Sequence, residues 1–266
     1  MKIFCLKGGL GNQLFEYCRY DTFRKENTER CYLFLDRRKL KQHHNVLISE
    51  CFNVKIQPCP LWVNAIVWGL KACSILKCFS YLYDEQSPDA IFIDSYSQDK
   101  RYIHHARNIL KFKPFRLSDN YQKYLTAINS SSCPVSIHVR RGDYLQTDNL
   151  EHIGICSMEY YRQAVSYTIK QYPDCTFFVF SDDMPWTMKN LRIEGAIYIK
   201  NNGEPDYADL YLQQQCKAHI IANSTFSFWG SWLNDSPQHL CIYPKQWFRD
   251  ESWGCPDIFP PHWISM

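Results

Sequence analysis

The residues best equipped for chemistry in this 266-residue chain stand in a row: Arg140, Arg141, Gly142 and Asp143, near the end of the stretch 136–144. A guanidinium is planar and permanently charged, and its fork of N–H donors matches the oxygens of a phosphate. Ahead of the arginines, Val135, Ile137 and Val139 alternate with Ser136 and His138, the period of a short strand. Gly142-Asp143 then supplies turn chemistry. Cations at the carboxyl end of a strand occupy the place where open α/β sheets collect ligands. A surface arginine pair bridged to Asp143 would draw on the same residues. An adhesion-type Arg-Gly-Asp tripeptide would tip a loop rather than abut a strand.

Two further strand ends close on polar residues. An apolar run over 175–180 leads into Ser181-Asp182-Asp183, and a strand expected over 219–222 leads into Asn223-Ser224-Thr225-Phe226-Ser227. In a parallel sheet the three ends share one rim. They would present cations for phosphate, carboxylates for amide-type donors or hydroxyls, and donors at a helix start, which together suit a nucleoside diphosphate. Strand-end caps and helix N-caps use the same residue types. A fourth cluster, Gly8-Gly9-Leu10-Gly11-Asn12-Gln13, follows a strand expected over 2–7 and precedes a helix expected over 13–25. Strand, glycine turn and helix cradle anions well, although the spacing is neither a Walker loop nor a dinucleotide fingerprint. No Asp-x-Asp occurs in the sequence. A metal bridged to a diphosphate through that motif is therefore not expected, and the arginines would neutralise the leaving group.

The elements that position these clusters alternate. Strand, helix and a second strand over 30–35 open the chain in β-α-β fashion. A polar segment follows to about residue 60, then the most apolar stretch, 61–80, interrupted by Asn64, Lys71 and Lys77 on roughly one helical face. The charges argue against a transmembrane span. A helix packed in the core is the first expectation for it, and a helix resting on a membrane surface or partner the second. A short strand over 90–94, a polar aromatic loop over 95–102 and helices through 108 and over 118–130 complete the first half. The serine cluster at 130–132 marks a linker, with the boundary inside 116–134. The expected domains are 1–125 and 126–266. Beyond the central strand, helices over 157–172 and 206–217 and strands over 175–180, 196–199, 219–222 and 240–243 make a second α/β unit.

Composition narrows the class. A net charge of +3 with no basic run interleaved with aromatics excludes a nucleic-acid binder. Aromatics at 16% suit surfaces that stack on sugars, though cores use them too. The 13 cysteines are scattered with no Cys-x-x-Cys, which reads as free thiols in a reducing cytosol. His43-His44 and His104-His105 lack metal-type spacing and read as loop or helix-surface residues. The opening apolar run meets Lys7 too soon for a signal peptide. A cytoplasmic protein is expected, with contact at the inner face of the membrane as a variant of that expectation.

The motifs at 8–15, 138–144, 180–183 and 222–230, with a C-terminal segment at 243–248, resemble in type and order those of the α-1,2-fucosyltransferases of glycosyltransferase family 11, bacterial type. The resemblance implies a GT-B-like α/β fold of two Rossmann-like domains facing across a cleft, the first on the acceptor side and the second binding the donor. It implies inverting transfer of L-fucose from GDP-L-fucose to the 2-hydroxyl of a galactose-type glycan, without a metal or other cofactor. By similarity, Arg140 and His138 would hold the diphosphate. Asp182 or Asp183 would lie near the guanosine, and Asn223, Ser224, Thr225 and Ser227 near the phosphates. Gly9, Gly11, Asn12 and Gln13 would face the same cleft. Asp143, three residues beyond Arg140, is the first choice for the base that deprotonates the acceptor, ahead of Asp148 and Glu151. A pair with Arg141 or a turn cap is its structural alternative. Glu16, Cys18 and Phe228 depart from the family pattern, and 40–90 has no defensible match, which leaves the acceptor open. Another GDP-sugar, a protein hydroxyl acceptor, or a non-catalytic sugar-binding protein on the same scaffold are the competing readings.

Overall fold

The computed structural model describes residues 1–41, 48–57, 59–75, 82, 90–236 and 238–266. They divide into two compact units, Met1–Lys113 and Pro114–Met266.

In the first unit, β1 (Lys2–Leu6), β2 (Cys31–Leu35) and β3 (Phe92–Ile93) form a parallel sheet in the order β2-β1-β3. A central parallel strand is covered on both faces, so β1 reads as an almost unbroken apolar run. Helix α1 (Leu10–Glu26) crosses between β1 and β2. It starts at Leu10 rather than the expected 13 because Gly9 is its N-cap and the Asn12 and Gln13 N–H groups already donate to the Gly9 carbonyl. Short helices α2 (Arg37–Lys41) and α3 (Ile48–Cys51) precede the longer α4 (Leu61–Ile75). Val63, Val67 and Leu70 of α4 join Ile3, Cys5, Phe34 and Phe92 in the core. The core placement expected for 61–80 thus holds for one face of α4, while 76–80 and His43-His44 lie outside the described residues. Among the described residues no helix is long and apolar enough to cross a membrane. Helices α5 (Lys100–Ile103) and α6 (Ala106–Ile109) replace one expected helix, broken at His104-His105.

In the second unit, α7 (Asp119–Ser130) leads into β4 (Cys133–Val139), with Ser118 capping the helix by accepting from the Tyr121 N–H. Then follow α8 (Thr147–His152), α9 (Met158–Gln171), β5 (Cys175–Ser181), α10 (Met184–Asn190), β6 (Ile197–Tyr198), α11 (Asp206–Gln215), β7 (Ala218–Ile220), α12 (Thr225–Trp232), β8 (Cys241–Tyr243) and β9 (Ile264–Ser265). The strands make one six-stranded sheet in the order β6-β5-β4-β7-β8-β9, and each pairing is parallel. Val135, Ile137 and Val139 pack on one face with Tyr160, Tyr161 and Ala164 of α9. On the other face Phe178 and Phe180 meet Tyr121 and Ile128 of α7 and Ala208 and Leu212 of α11.

The units divide at Lys113/Pro114, before α7, and not within 116–134 or at 125/126. Helix α7 belongs to the second unit because it buries Tyr121, whose hydroxyl donates to Asp209 Oδ1 at 2.6 Å. The serine cluster is not a linker: Ser132 Oγ donates to the Asp174 carbonyl at the start of β5. Eleven cysteines among the described residues are free thiols, and burial pushes Cys156 up to about 11.

Candidate active site

Parallel pairing of β4 with β5 and β7 puts their carboxyl ends, and the polar residues that follow them, on one rim of the second unit. The shared rim expected from sequence is therefore real. What the side chains do there is more specific.

Arg140 sits between two carboxylates, with Nη2 2.7 Å from Asp143 Oδ1 and Nε 3.2 Å from Asp182 Oδ2. These are charge contacts rather than aligned hydrogen bonds: Arg140 Nε and Asp143 Oδ1 are buried without a hydrogen-bond partner. Burial disfavours the cation, but Asp182 and Asp143 outweigh it and raise the Arg140 pKa. The guanidinium also lies over the Tyr144 ring, 5.4 Å from its centroid. It is held in place and charged between the two carboxylates.

Arg141 turns the other way. Its guanidinium stacks on Trp186 at 3.5 Å, and its Nε donates to Asp183 Oδ2 at 3.4 Å. The expected alternative for Asp143, a pair with Arg141, is therefore corrected: Asp143 pairs with Arg140 and Asp183 with Arg141. One Asp182 oxygen accepts the Arg141 backbone N–H at 2.9 Å, and the other faces Arg140. Asp183 caps α10 by accepting from the Trp186 N–H. Both carboxylates thus order the two arginines. A Cβ at Gly142 would stand 2.8 Å from Asp182 Oδ2, so the turn needs a residue without one.

His138 is buried with its ring against Phe226, and burial, then the Arg140 charge, lowers its pKa to about 3. It is neutral and offers no cation to a diphosphate, and its Nδ1 is buried without a partner. Asn223 also differs from expectation. Its amide reaches the carbonyls of Ile153, Gly154 and Trp247, each at 3.2 Å, and so pins two loops instead of facing the rim. Ser227 Oγ donates to the Ala222 and Ser224 carbonyls just ahead of α12. Ser224 is the N-cap of α12 with no side-chain cap bond, and Thr225 opens the first turn. Backbone N–H groups at such a start favour an anion. A cavity of about 190 Å³ lies beside Asn223, lined by Leu150, Ile153, Ile155, Gln246 and Arg249. Pockets for whole ligands run to roughly 300–1,000 Å³, so it would take part of one.

The glycine cluster forms a second polar rim, in the first unit. Gly8 has φ +71, and Gln13, fully buried, donates from Nε2 to the Gly8 carbonyl and accepts the Ile48 N–H at Oε1. Gln13 therefore braces the turn, with Gly9 as cap and Gly11 and Asn12 in the first helical turn. Sequence reading missed the groups around it. Lys7 Nζ donates to Asp94 Oδ1 at 2.6 Å, and Glu16 accepts the Lys7 backbone N–H at 2.8 Å. Burial pushes the Glu16 carboxyl well above the carboxylate range, and its Oε1 is buried without a partner. Asp209, raised by burial to about 6 beside Tyr121, was also missed. An acid in the first turn of a helix reads as exposed, and only the α7–α11 packing buries it.

A family model described as "Glycosyl transferase family 11" matches residues 81–266. Along nearly the whole chain, the sequence is similar to an "Alpha-1,2-colitosyltransferase" of Escherichia coli, 28% identical over 98% of this chain and 97% of that one. It is similar to the "O-antigen biosynthesis glycosyltransferase WbnK" of Escherichia coli, 29% identical over 92% and 94%. A "Galactoside alpha-(1,2)-fucosyltransferase 2" of Oryctolagus cuniculus is 25% identical over 92% of this chain and 73% of its own. Among solved structures, fucosyltransferase NodZ from Bradyrhizobium superposes with a TM-score of 0.52 at 12% identity, covering 87% of this chain and 91% of that one. POFUT1 in complex with GDP-fucose does so with 0.52 at 10%, covering 91% and 96%. Likeness at such identities concerns the fold alone.

Proposed function

Because the chain belongs to glycosyl transferase family 11, we propose that it moves L-fucose from GDP-L-fucose to the 2-hydroxyl of a galactose-terminated glycan, with inversion at the anomeric carbon. That it is a glycosyltransferase rests on the family. The donor and acceptor are our reading. One observation carries it: Arg140 is held charged between Asp143 and Asp182 at the carboxyl end of β4. In the transfer the glycosidic bond breaks toward the diphosphate, and negative charge grows on the departing phosphate oxygens. A preorganised guanidinium stabilises that charge without reorganising at the moment of reaction. The start of α12, at Ser224 and Thr225, lies along the same rim and adds N–H donors.

Asp143 acts in this scheme as the group that positions Arg140, with Asp182. Asp143 Oδ1 is taken up by the Arg140 guanidinium, 2.7 Å from Nη2. His138, neutral, serves as a hydrogen-bonding group beside the arginine rather than as a cation. We further propose that transfer is metal-independent, Arg140 and the helix start taking the charge that a cation would take elsewhere. Activity abolished by EDTA and restored by Mn²⁺ would overturn this.

A second donor is favoured by a specific likeness, the colitosyltransferase that matches 98% of this chain. The experiment is therefore a transfer assay offering GDP-L-fucose, a colitose donor or GDP-mannose to a panel of galactosides, with the product linkage read by NMR. Transfer of fucose to the 2-hydroxyl is expected. Transfer from the colitose donor alone would replace the donor. Absence of both transfer and GDP binding would replace the enzyme with a sugar-binding protein.

A further inference from the structure

Helix α4 has two apolar faces. Val63, Val67 and Leu70 point into the first unit's core. Leu61, Ala65, Trp68 and Ala72, spaced i, i+4, i+7 and i+11 on the opposite face, are exposed, as are Trp62 and Gly69 beside them. Leu61 is 86% exposed, Trp62 49% and Trp68 53%. A surface helix normally turns charged and polar side chains outward, and this one turns out two indoles and a leucine. Its polar residues, Asn64 and Lys71, are half-buried at the flank, where Lys71 pairs with Asp36 at 2.7 Å.

The rim of this face is basic. Arg37, Arg38 and Lys39 are exposed on α2. The Arg38 guanidinium lies over the Trp68 ring at 5.5 Å, and Lys71 Nζ approaches the same ring at 5.9 Å. The nearby Asp36 carboxylate is neutralised by Lys71. Indoles with an apolar body and a polar edge favour the headgroup level of a bilayer, and basic residues beside them favour anionic lipid.

We propose that α4 docks the protein on an anionic lipid surface, inserting Leu61, Trp62 and Trp68 to the level of the headgroups while Arg37, Arg38 and Lys39 meet lipid phosphates. The helix lies in the plane of the surface, because its inner face stays committed to the core. A protein groove lined by carboxylates and apolar side chains would satisfy the same chemistry less economically. The absence of any charge on the exposed face favours a surface that is uniformly apolar below its headgroups.

The test uses the full chain and large unilamellar vesicles of phosphatidylcholine alone or mixed with phosphatidylglycerol. Cosedimentation with the anionic vesicles is expected, weakened about tenfold by Trp62→Gln/Trp68→Gln and comparably by Arg37→Gln/Arg38→Gln, and by raised salt. Tryptophan quenching by lipids brominated near the headgroup reads the same contact in the unaltered protein. The thermal midpoint of the exposed-face variants should match wild type, since these side chains leave the core intact. Equal binding by wild type and the tryptophan variant would overturn the proposal, as would equal binding to neutral vesicles. Failure to bind any vesicle, with a concentration-dependent dimer that the tryptophan variant dissolves, would replace the lipid with a second copy of the chain.

Discussion

At the scale of single residues, Arg140 is distinguished from Arg141 by what surrounds it. Arg141 is stacked on Trp186, and its Nε donates to Asp183. Arg140 is held over the Tyr144 ring by charge contacts with Asp143 and Asp182. Arg140→Ala should lower kcat about 10²–10³-fold, roughly 3–4 kcal/mol of transition-state stabilisation. Arg140→Lys should recover little, since a point charge lacks the fork. Asp143→Asn should weaken GDP binding and transfer together, because it frees Arg140 from one of its two holders. Transfer lost with GDP affinity intact would instead make Asp143 the base. His138 yields a pH prediction. Folded, it stays neutral to about pH 3, whereas the unfolded chain takes the proton near the ordinary histidine value. Between those values the unfolded state binds one more proton, so acidification costs stability through this residue. His138→Gln removes the effect. Relative to wild type, the variant should gain about 1.4 kcal/mol per pH unit on going from pH 6 to pH 4, measured by urea unfolding. A flat difference would show that His138 is not held neutral.

At the scale of elements, the second unit depends on how closely α11 and α12 approach. A Cβ on Gly230 would stand 2.8 Å from Gln213 Oε1 and 2.9 Å from its Cβ. Gln213 is buried, so it has little room to yield. Gly230→Ala should therefore destabilise by about 1–3 kcal/mol, the usual range for overpacking, and lower the urea midpoint accordingly. An unchanged midpoint would mean that the helices separate without cost. Because α12 begins at the candidate phosphate site, the same variant should also weaken GDP. The cap of α10 plays a comparable part. Asp183 fixes the start of that helix and thereby sets Trp186 beneath Arg141.

At the scale of the molecule, two units with separate sheets and cores are expected to respond separately to a ligand. GDP contacts, in the proposed reading, reside mainly in Pro114–Met266. Scanning calorimetry should then resolve two transitions, with saturating GDP raising one of them. At a hundredfold excess over Kd, the linkage amounts to about 2.7 kcal/mol for the unit that binds. A single transition, or two that move equally, would mean that the units unfold as one or share the ligand. The lipid surface proposed for α4 belongs to the other unit, so vesicles and GDP should act on different transitions.

The parts of this protein legible in its sequence are those set by local patterning. Alternation in 135–139 and the apolar run at 175–180 identified strands, and the structure pairs them in parallel. Their polar ends marked the rim, since only strand termini tolerate Arg140, Asp182 and Ser224 in a row with apolar segments. Tertiary structure alone decided the rest. Which carboxylate meets which arginine depends on the turn at Gly142 and on β5 lying beside β4, so the pairing of Asp143 with Arg140 had no local signature. Asn223 reads as a site residue by type, yet its amide closes on loops 24 and about 70 residues away in sequence. The unit boundary falls before α7 because Tyr121 finds Asp209 across the fold, and a serine cluster in sequence could not show that. Helix α4 shows the same division of labour. Its apolar composition announced a helix, but which face would be left exposed was settled only when the core claimed Val63, Val67 and Leu70.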